Sequence, residues 1–213
     1  MDKIIPICKD PGITSFDVIR EIKGLYKGVK IGHCGTLDPF AEGLLLICTG
    51  KKTKEIDQLV NTKKEYIAKI YFGSETDTLD PTGSVIKENN FKNLNRKKIE
   101  NILESFKGKN RQIPPYFSAL KLNGVRLYKF ARKDIFIKKK PRNVLLYDLE
   151  ILKIDENVLD IRLVCGKGFY VRAFARDLAY RLNTFGHLLS LKRIAIGEYS
   201  IDNALSIRDL NYD

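Results

Sequence analysis

The stretch from Gly28 to Gly43, GVKIGHCGTLDPFAEG, leads directly into Leu44-Leu45-Leu46-Ile47-Cys48 and decides how this chain folds. Its glycines and proline interrupt any helix or strand, so it reads as a loop. The five apolar residues that follow do not alternate with polar ones, the pattern of a short strand buried on both faces. A polar loop tied to such a strand stands at the edge of a rigid core, where a reacting side chain is best supported.

Strands and helices alternate outward from this point. Ile4 to Cys8 reads as a strand, and the loop KDPGITS ends in Ser15 as a helix N-cap. Phe16, Val18, Ile19, Ile22 and Leu25 then recur at helical spacing. Beyond the buried strand, KTKEIDQLV (52–60) reads as a helix. EYIAKIYFG (65–73) reads as a strand paired with SVIKE (84–88), joined by a loop over 73–83. Ile99, Ile102, Leu103 and Phe106 share one face of a helix over 95–106. Residues 113–132 read as a Pro-rich turn, a short strand, a Gly turn and a helical turn. VLLYDLEILKI and VLDIRLVC read as strands, and YVRAFARDLAYRL as a helix with Val171, Phe174, Leu178 and Leu182 inward. Tight turns between several strands favour an α+β fold with a mixed sheet over a doubly wound parallel one.

Composition bounds the function. Thirty-eight Lys and Arg against 26 Asp and Glu give a net charge of +12, which points to a polyanion, with nucleic acid ahead of membrane. The longest apolar run is far short of the roughly 20 residues a membrane helix needs, and MDKIIPICKDPG does not resemble a signal peptide. Cys8, Cys34, Cys48 and Cys165 have no Cys-x-x-Cys spacing and His33 and His187 lie far apart, so neither a zinc site nor a disulfide framework is indicated. Four free thiols suit a reducing cytoplasm. The basic run Lys138-Lys139-Lys140 could contact RNA, and it reads first as a solvated edge.

The tetrapeptide Thr-Leu-Asp-Pro occurs twice, ending at Pro39 and at Pro81. An Asp-Pro pair is first of all a turn former. Asp80 lies in the long 73–83 loop, where a structural or RNA-contacting role fits. Asp38 lies in the glycine-studded loop against the buried strand.

The stretch GHCGTLDPFAEGLLLICTGKKTK (32–54) resembles the bacterial tRNA pseudouridine-55 synthase family. GITSFDVIREIK, KKEYIAKIYFG, TDTLDPTG, IPPYFSALKLNGVRLYKFAR, GKGFYVRAFARDLA and LKRIAIGEYS resemble it in the same order, so the likeness covers nearly the whole chain. It implies the pseudouridine synthase fold, a mixed and mostly antiparallel sheet with a catalytic cleft across it. It also implies a single catalytic domain over 1–213, in the short form without the C-terminal RNA-binding (PUA-type) domain of longer relatives. The implied reaction isomerises the T-loop uridine of tRNA, at position 55, to pseudouridine after base flipping, with no cofactor, no metal and no obligatory protein partner.

The resemblance makes Asp38 the catalytic aspartate, Arg172 its guanidinium partner, and Tyr66 the residue that stacks on the target uracil and helps move its C5 proton. His33 matches the position whose ring fills the space left by the flipped base, and Tyr170 and Leu191 match pocket walls. Lys9 and Asp80 match substrate-binding positions. Two departures stand out. The family shows Lys-Pro-x-Gly-x-Thr-Ser where this chain has Lys9-Asp10-Pro11-Gly12-Ile13-Thr14-Ser15, and Lys192 stands where Arg is common. A non-catalytic RNA-binding protein and a base-removing glycosylase are the competing classes; the first argues poorly with an intact Asp38, Tyr66 and Arg172 set.

Overall fold

The computed structural model describes residues 2–92, 94–122 and 124–209. Strand β1 (Ile4–Lys9) leads to helix α1 (Ser15–Leu25), then β2 (Ile31–His33) and β3 (Glu42–Thr49). A 3-10 turn over 50–55 and helix α2 (Ile56–Asn61) precede β4 (Lys64–Phe72), β5 (Ser74–Thr76) and β6 (Val85–Glu88). The middle of the chain carries α3 (Arg96–Glu104), β7 (Gly108–Gln112), the short pair β8 (Lys121–Leu122) and β9 (Val125–Arg126), and α4 (Leu127–Ala131). Then come β10 (Arg142–Asp155), β11 (Val158–Cys165), α5 (Val171–Arg181), β12 (Gly186–Ile196), β13 (Tyr199–Ser200) and β14 (Leu205–Ser206).

One large sheet runs β14-β1-β3-β12-β4-β11-β10-β7. Its pairings are antiparallel except β1 with β14 and β3 with β12. This is the mixed, mostly antiparallel α+β sheet that the sequence leads one to expect. Strand β3 is buried from Gly43 to Thr49, as its unbroken apolar run requires. The parallel contact of β3 with β12 is close: a Cβ on Gly43 would lie 2.3 Å from the carbonyl oxygen of Arg193, and Gly43 has φ +108°. Only glycine allows both that approach and that backbone angle.

Helix α5 buries Val171, Phe174, Leu178 and Leu182 against the sheet with Ala68, Ile70, Phe72, Ile161 and Leu163. Helix α1 covers the other end, packing Val18, Ile19 and Ile22 on Ile5, Ile7, Leu45 and Ile47. Its cap is Thr14, not Ser15: the Thr14 and Asp17 side chains form a reciprocal capping box. Ser15 is freed to turn inward, and Phe16 is 59% exposed rather than part of the apolar face.

The strand partner of β4 also differs from expectation. Both edges of β4 are taken in the large sheet, by β11 and β12. Gly73, at φ +123°, bends the chain out of the sheet, so SVIKE pairs instead with Ser74–Thr76 in a separate ribbon. The segment KTKEIDQLV begins as a 3-10 turn and becomes α-helical only from Ile56. Lys139 is not a solvated edge residue: its ammonium lies 3.2 Å from the centre of the Tyr116 ring.

Candidate active site

Three features of the N-terminal segment fix the Asp38 loop. Ser15 Oγ accepts from the Leu37 amide at 2.9 Å and donates to its carbonyl at 3.1 Å. The Gly12 amide donates to Pro39 O at 2.8 Å. Lys9, fully buried, places Nζ on the carbonyls of Asp10, Ile13 and Pro39. The backbone of the first Thr-Leu-Asp-Pro is thus held on both sides of Asp38, while the Asp38 side chain remains 30% exposed.

The guanidinium of Arg172, at the start of α5, meets that carboxylate in a two-pronged pair. Nε donates to Oδ2 and Nη2 to Oδ1, each at 2.8 Å. Nη1 also donates to Thr78 O at 2.8 Å and Nη2 to Phe117 O at 2.9 Å. The remaining direction of Nη1 faces Asp80 Oδ2 at 3.5 Å. Four of the five N–H groups of the buried guanidinium are hydrogen-bonded and the fifth direction meets an ion-pair partner, so the carboxylate of Asp38 is oriented in a plane. Arg172 is only 3% exposed, although its place on an amphipathic helix would by itself suggest an outward residue.

Both copies of the tetrapeptide thus converge on one arginine. The second does so from a strained turn: Leu79 has φ +63°, a left-handed angle that costs a branched residue about 1–3 kcal/mol. Asp80 Oδ1 accepts from the Thr78 hydroxyl and from the amide and hydroxyl of Thr82. Asp80 is 4% exposed. It is a turn former, as its motif suggests, and it also completes the Arg172 cage. The resemblance makes Asp38 catalytic and Asp80 substrate-binding; the structure brings both carboxylates to one guanidinium.

Leu191 belongs to the buried cluster that holds Leu37, Ala41 and Val171, with Tyr66 packed against it. Tyr66 lies on β4 opposite Arg193 of β12. Burial pushes its phenol up, opposed by the Arg193 guanidinium. Tyr170 precedes α5, fixed by Gln112, whose amide accepts from Tyr170 N at 2.8 Å and donates to Tyr170 O at 3.0 Å. Its phenol is also raised by burial, with Ser118 alongside lowering it. His33 ends β2; burial and the nearby Arg193 lower its pKa, so the ring is neutral near pH 7. Its Nδ1 is buried with no hydrogen-bond partner.

The sequence pattern does not single out Ser118 or Arg193, and it marks Ser15 only as a helix cap. Ser15 stands in the quoted GITSFDV stretch and Ser118 in PPYFSALK, so position within a matched motif was the available signal. Arg193 is the third residue of LKR, beside Lys192, which departs from the family; Lys192 is partly exposed and pairs with Glu42 at 3.4 Å. Among the described residues no cluster of metal-ligating side chains occurs, and no helix is long and apolar enough to cross a membrane. The thiols of Cys34 and Cys48 share a hydrogen bond at 3.4 Å and form no disulfide.

Two buried lysines carry a pH consequence. Burial pulls the ammonium groups of Lys9 and Lys64 down to about 8. Above that pH the folded chain releases protons that the unfolded chain still binds, so these residues make stability rise with pH up to the ordinary lysine range. Lys64→Met removes its share. Denaturant titrations at about pH 8 and about pH 9.5 should show wild type gaining stability relative to the variant at the higher pH; a constant difference would mean that the buried ammonium is not strained.

A buried arginine clamping a partly exposed aspartate at the edge of a mixed sheet can present an oriented carboxylate to a ligand. The chain belongs to the TruB family of pseudouridylate synthases, whose N-terminal domain model matches residues 23–171. It is 40% identical to tRNA pseudouridine synthase B of Clostridium tetani, over 99% of this chain and 73% of that protein. It is 41% identical to the Francisella philomiragia protein of the same name, over 100% of this chain and 72% of the relative. Among solved structures, one of a Cbf5-Nop10-Gar1 complex matches with a TM-score of 0.76 and 25% identity over 97% of this chain. The chain spans about half, 53%, of the length of that structure's matching chain.

Proposed function

We propose that this pseudouridine synthase acts on tRNA, converting the T-loop uridine at position 55, and that Asp38 is the group that acts on the flipped nucleotide. The observation that carries this reading is the Asp38–Arg172 pair: a partly exposed carboxylate, oriented by a buried fork, with apolar and aromatic walls beside it. The relatives named tRNA pseudouridine synthase B supply the substrate class.

The reaction breaks N1–C1′, turns the uracil over, and joins C5 to C1′. One proton leaves C5 and one is taken up at N1, so the change is an isomerisation with no redox step. Extruding the uridine costs a few kcal/mol. His33, neutral and with a free Nδ1, is suited to the space the base leaves, and Tyr66 to stacking on it. Stacking of this kind is worth about 1–3 kcal/mol per base. Leu191 and Tyr170 form the walls. Lys9 and Asp80 are too buried to offer a surface to RNA; each contributes by holding the loop or the arginine that it touches. A reducing cytoplasm is the compartment that suits the four free cysteines.

Nucleoside analysis of unmodified tRNA incubated with purified protein and no added cofactor tests this. The expected product has the mass of uridine and a different retention. A loss of base mass would identify a glycosylase, and unchanged nucleosides would identify a binding protein. Recognition should rest on the T arm, through salt-sensitive backbone contacts by a chain of net charge +12 and through the shape of the folded loop. A T-arm stem-loop should therefore be converted with kcat/KM within about tenfold of full tRNA, about 1.4 kcal/mol. A hundredfold preference for full tRNA would show that recognition extends well beyond the arm.

A further inference from the structure

Lys9, Lys64 and Arg193 are three cations buried beneath the site, and none of them is within ion-pair distance of a carboxylate among the described residues. All three donate to main-chain carbonyls. Lys64 serves the turn before its own strand, through Leu59, Val60 and Thr62, and Lys9 holds the loops on either side of Pro39. Arg193 is placed differently, because it reaches three separate parts of the site.

Its Nε donates to Leu44 O on β3 at 2.7 Å, and its Nη2 to Gly35 O at 3.1 Å. Gly35 lies in the loop that carries His33 and Asp38. Across the β12–β4 ladder, the residue directly opposite Arg193 is Tyr66, so the two side chains leave the sheet on the same face. Neither bond uses Nη1, and the guanidinium lies close enough to the Tyr66 phenol to favour its charged form by charge and hydrogen bonding. A guanidinium that is 1% exposed and held by main-chain carbonyls at Nε and Nη2 is thus fixed in place beside the tyrosine across the ladder.

We propose that Arg193 is a positioning residue for Tyr66, which holds the phenol in place against the Asp38 loop and stabilises negative charge on its oxygen while the C5 proton is removed. This rests on the reading of Tyr66 as the residue that helps move that proton. Once the C5–C1′ bond has formed, C5 still carries its hydrogen. The C5–H bond breaks and the proton passes to the Tyr66 oxygen in its phenolate form. The electron pair left behind restores C5=C6, the C6=N1 pair moves onto N1, and N1 takes a proton from water. The hydroxide so formed reclaims the phenol proton. Burial alone makes the phenolate costly, and Arg193 is the cation that opposes that cost.

The test is a double-mutant cycle of Tyr66→Phe with Arg193→Gln, read with tRNA carrying hydrogen or deuterium at uracil C5. Arg193→Gln should lower kcat by about thirtyfold or more, leave KM within about threefold, and enlarge the C5 isotope effect. In the Tyr66→Phe background the same change should alter kcat by less than about threefold. Arg193→Lys, which keeps charge without the fork, should recover part of the loss. If Arg193→Gln costs as much without the phenol as with it, Arg193 is only structural and the proposal fails. If Tyr66→Phe turns over at the wild-type rate, the role of Tyr66 itself fails, which is a different result. Should Arg193→Gln not fold, the Tyr66 phenolate is titrated by ultraviolet absorbance in wild type and Arg193→Lys, each against its Tyr66→Phe control. An upward shift in the lysine variant supports the proposal, and no shift overturns it.

Discussion

Asp38→Asn should abolish turnover, by at least about ten-thousandfold or about 5.4 kcal/mol, while tRNA binding stays within a few fold. The amide has the shape of the carboxylate but cannot act as an anionic nucleophile or base. The fold should survive, because the loop is held through its backbone by Ser15, Gly12 and Lys9 rather than through the Asp38 side chain. Arg172 also keeps Asp80 and the carbonyls of Thr78 and Phe117. Asp80→Asn is the matched control. It weakens a buried contact to the same guanidinium, so it should lose stability and some activity, with a deficit at least about tenfold smaller than that of Asp38→Asn. Single-turnover rates and dissociation constants at one salt concentration measure both variants. An active Asp38→Asn beside an inactive Asp80→Asn would reverse the assignment of the two tetrapeptides.

Arg172→Lys should be the second most damaging change, with about a hundredfold or greater loss in kcat. An ammonium keeps the charge but cannot present two parallel N–H groups to Asp38 while also serving Thr78 and Phe117. Lysine also leaves one or more carbonyls of the cage unpaired in a buried place, each costing about 1–3 kcal/mol. Loss of Asp38 orientation predicts a fall in kcat with KM little changed. Replacing Lys138 or Lys140 by alanine should instead change mainly KM and its salt dependence, since an exposed cation contributes electrostatic attraction. Equal effects from the two kinds of change would reduce Arg172 to general phosphate attraction and remove its pairing role.

The elements governed by local pattern were legible in the chain. Helix α5 follows from the helical spacing of Val171, Phe174, Leu178 and Leu182, and β3 from the unbroken apolar run after Gly43, because side-chain periodicity reports directly which face is buried. The partner of β4 was misread for the opposite reason. A strand's edges are filled by whichever segment packs best in three dimensions, and here β11 and β12, distant in sequence, displaced the adjacent SVIKE.

The site divides along the same line. Asp38, Tyr66, His33, Tyr170, Leu191 and Arg172 could be named because each sits in a stretch whose residue types and spacing match a known family. Nothing in the spacing of Asp80 reveals that its carboxylate would face the same arginine as Asp38, nor that Lys9 would be wholly buried under Pro39. Those facts depend on where the strained turn at Leu79 and the loop at Gly12 come to rest against α5 and β3. By itself the sequence determined helix α5, the buried strand and the chemistry the side chains carry. The tertiary structure alone decided which charges share a partner and which are shut away from solvent, since both depend on contacts between segments that no local pattern encodes.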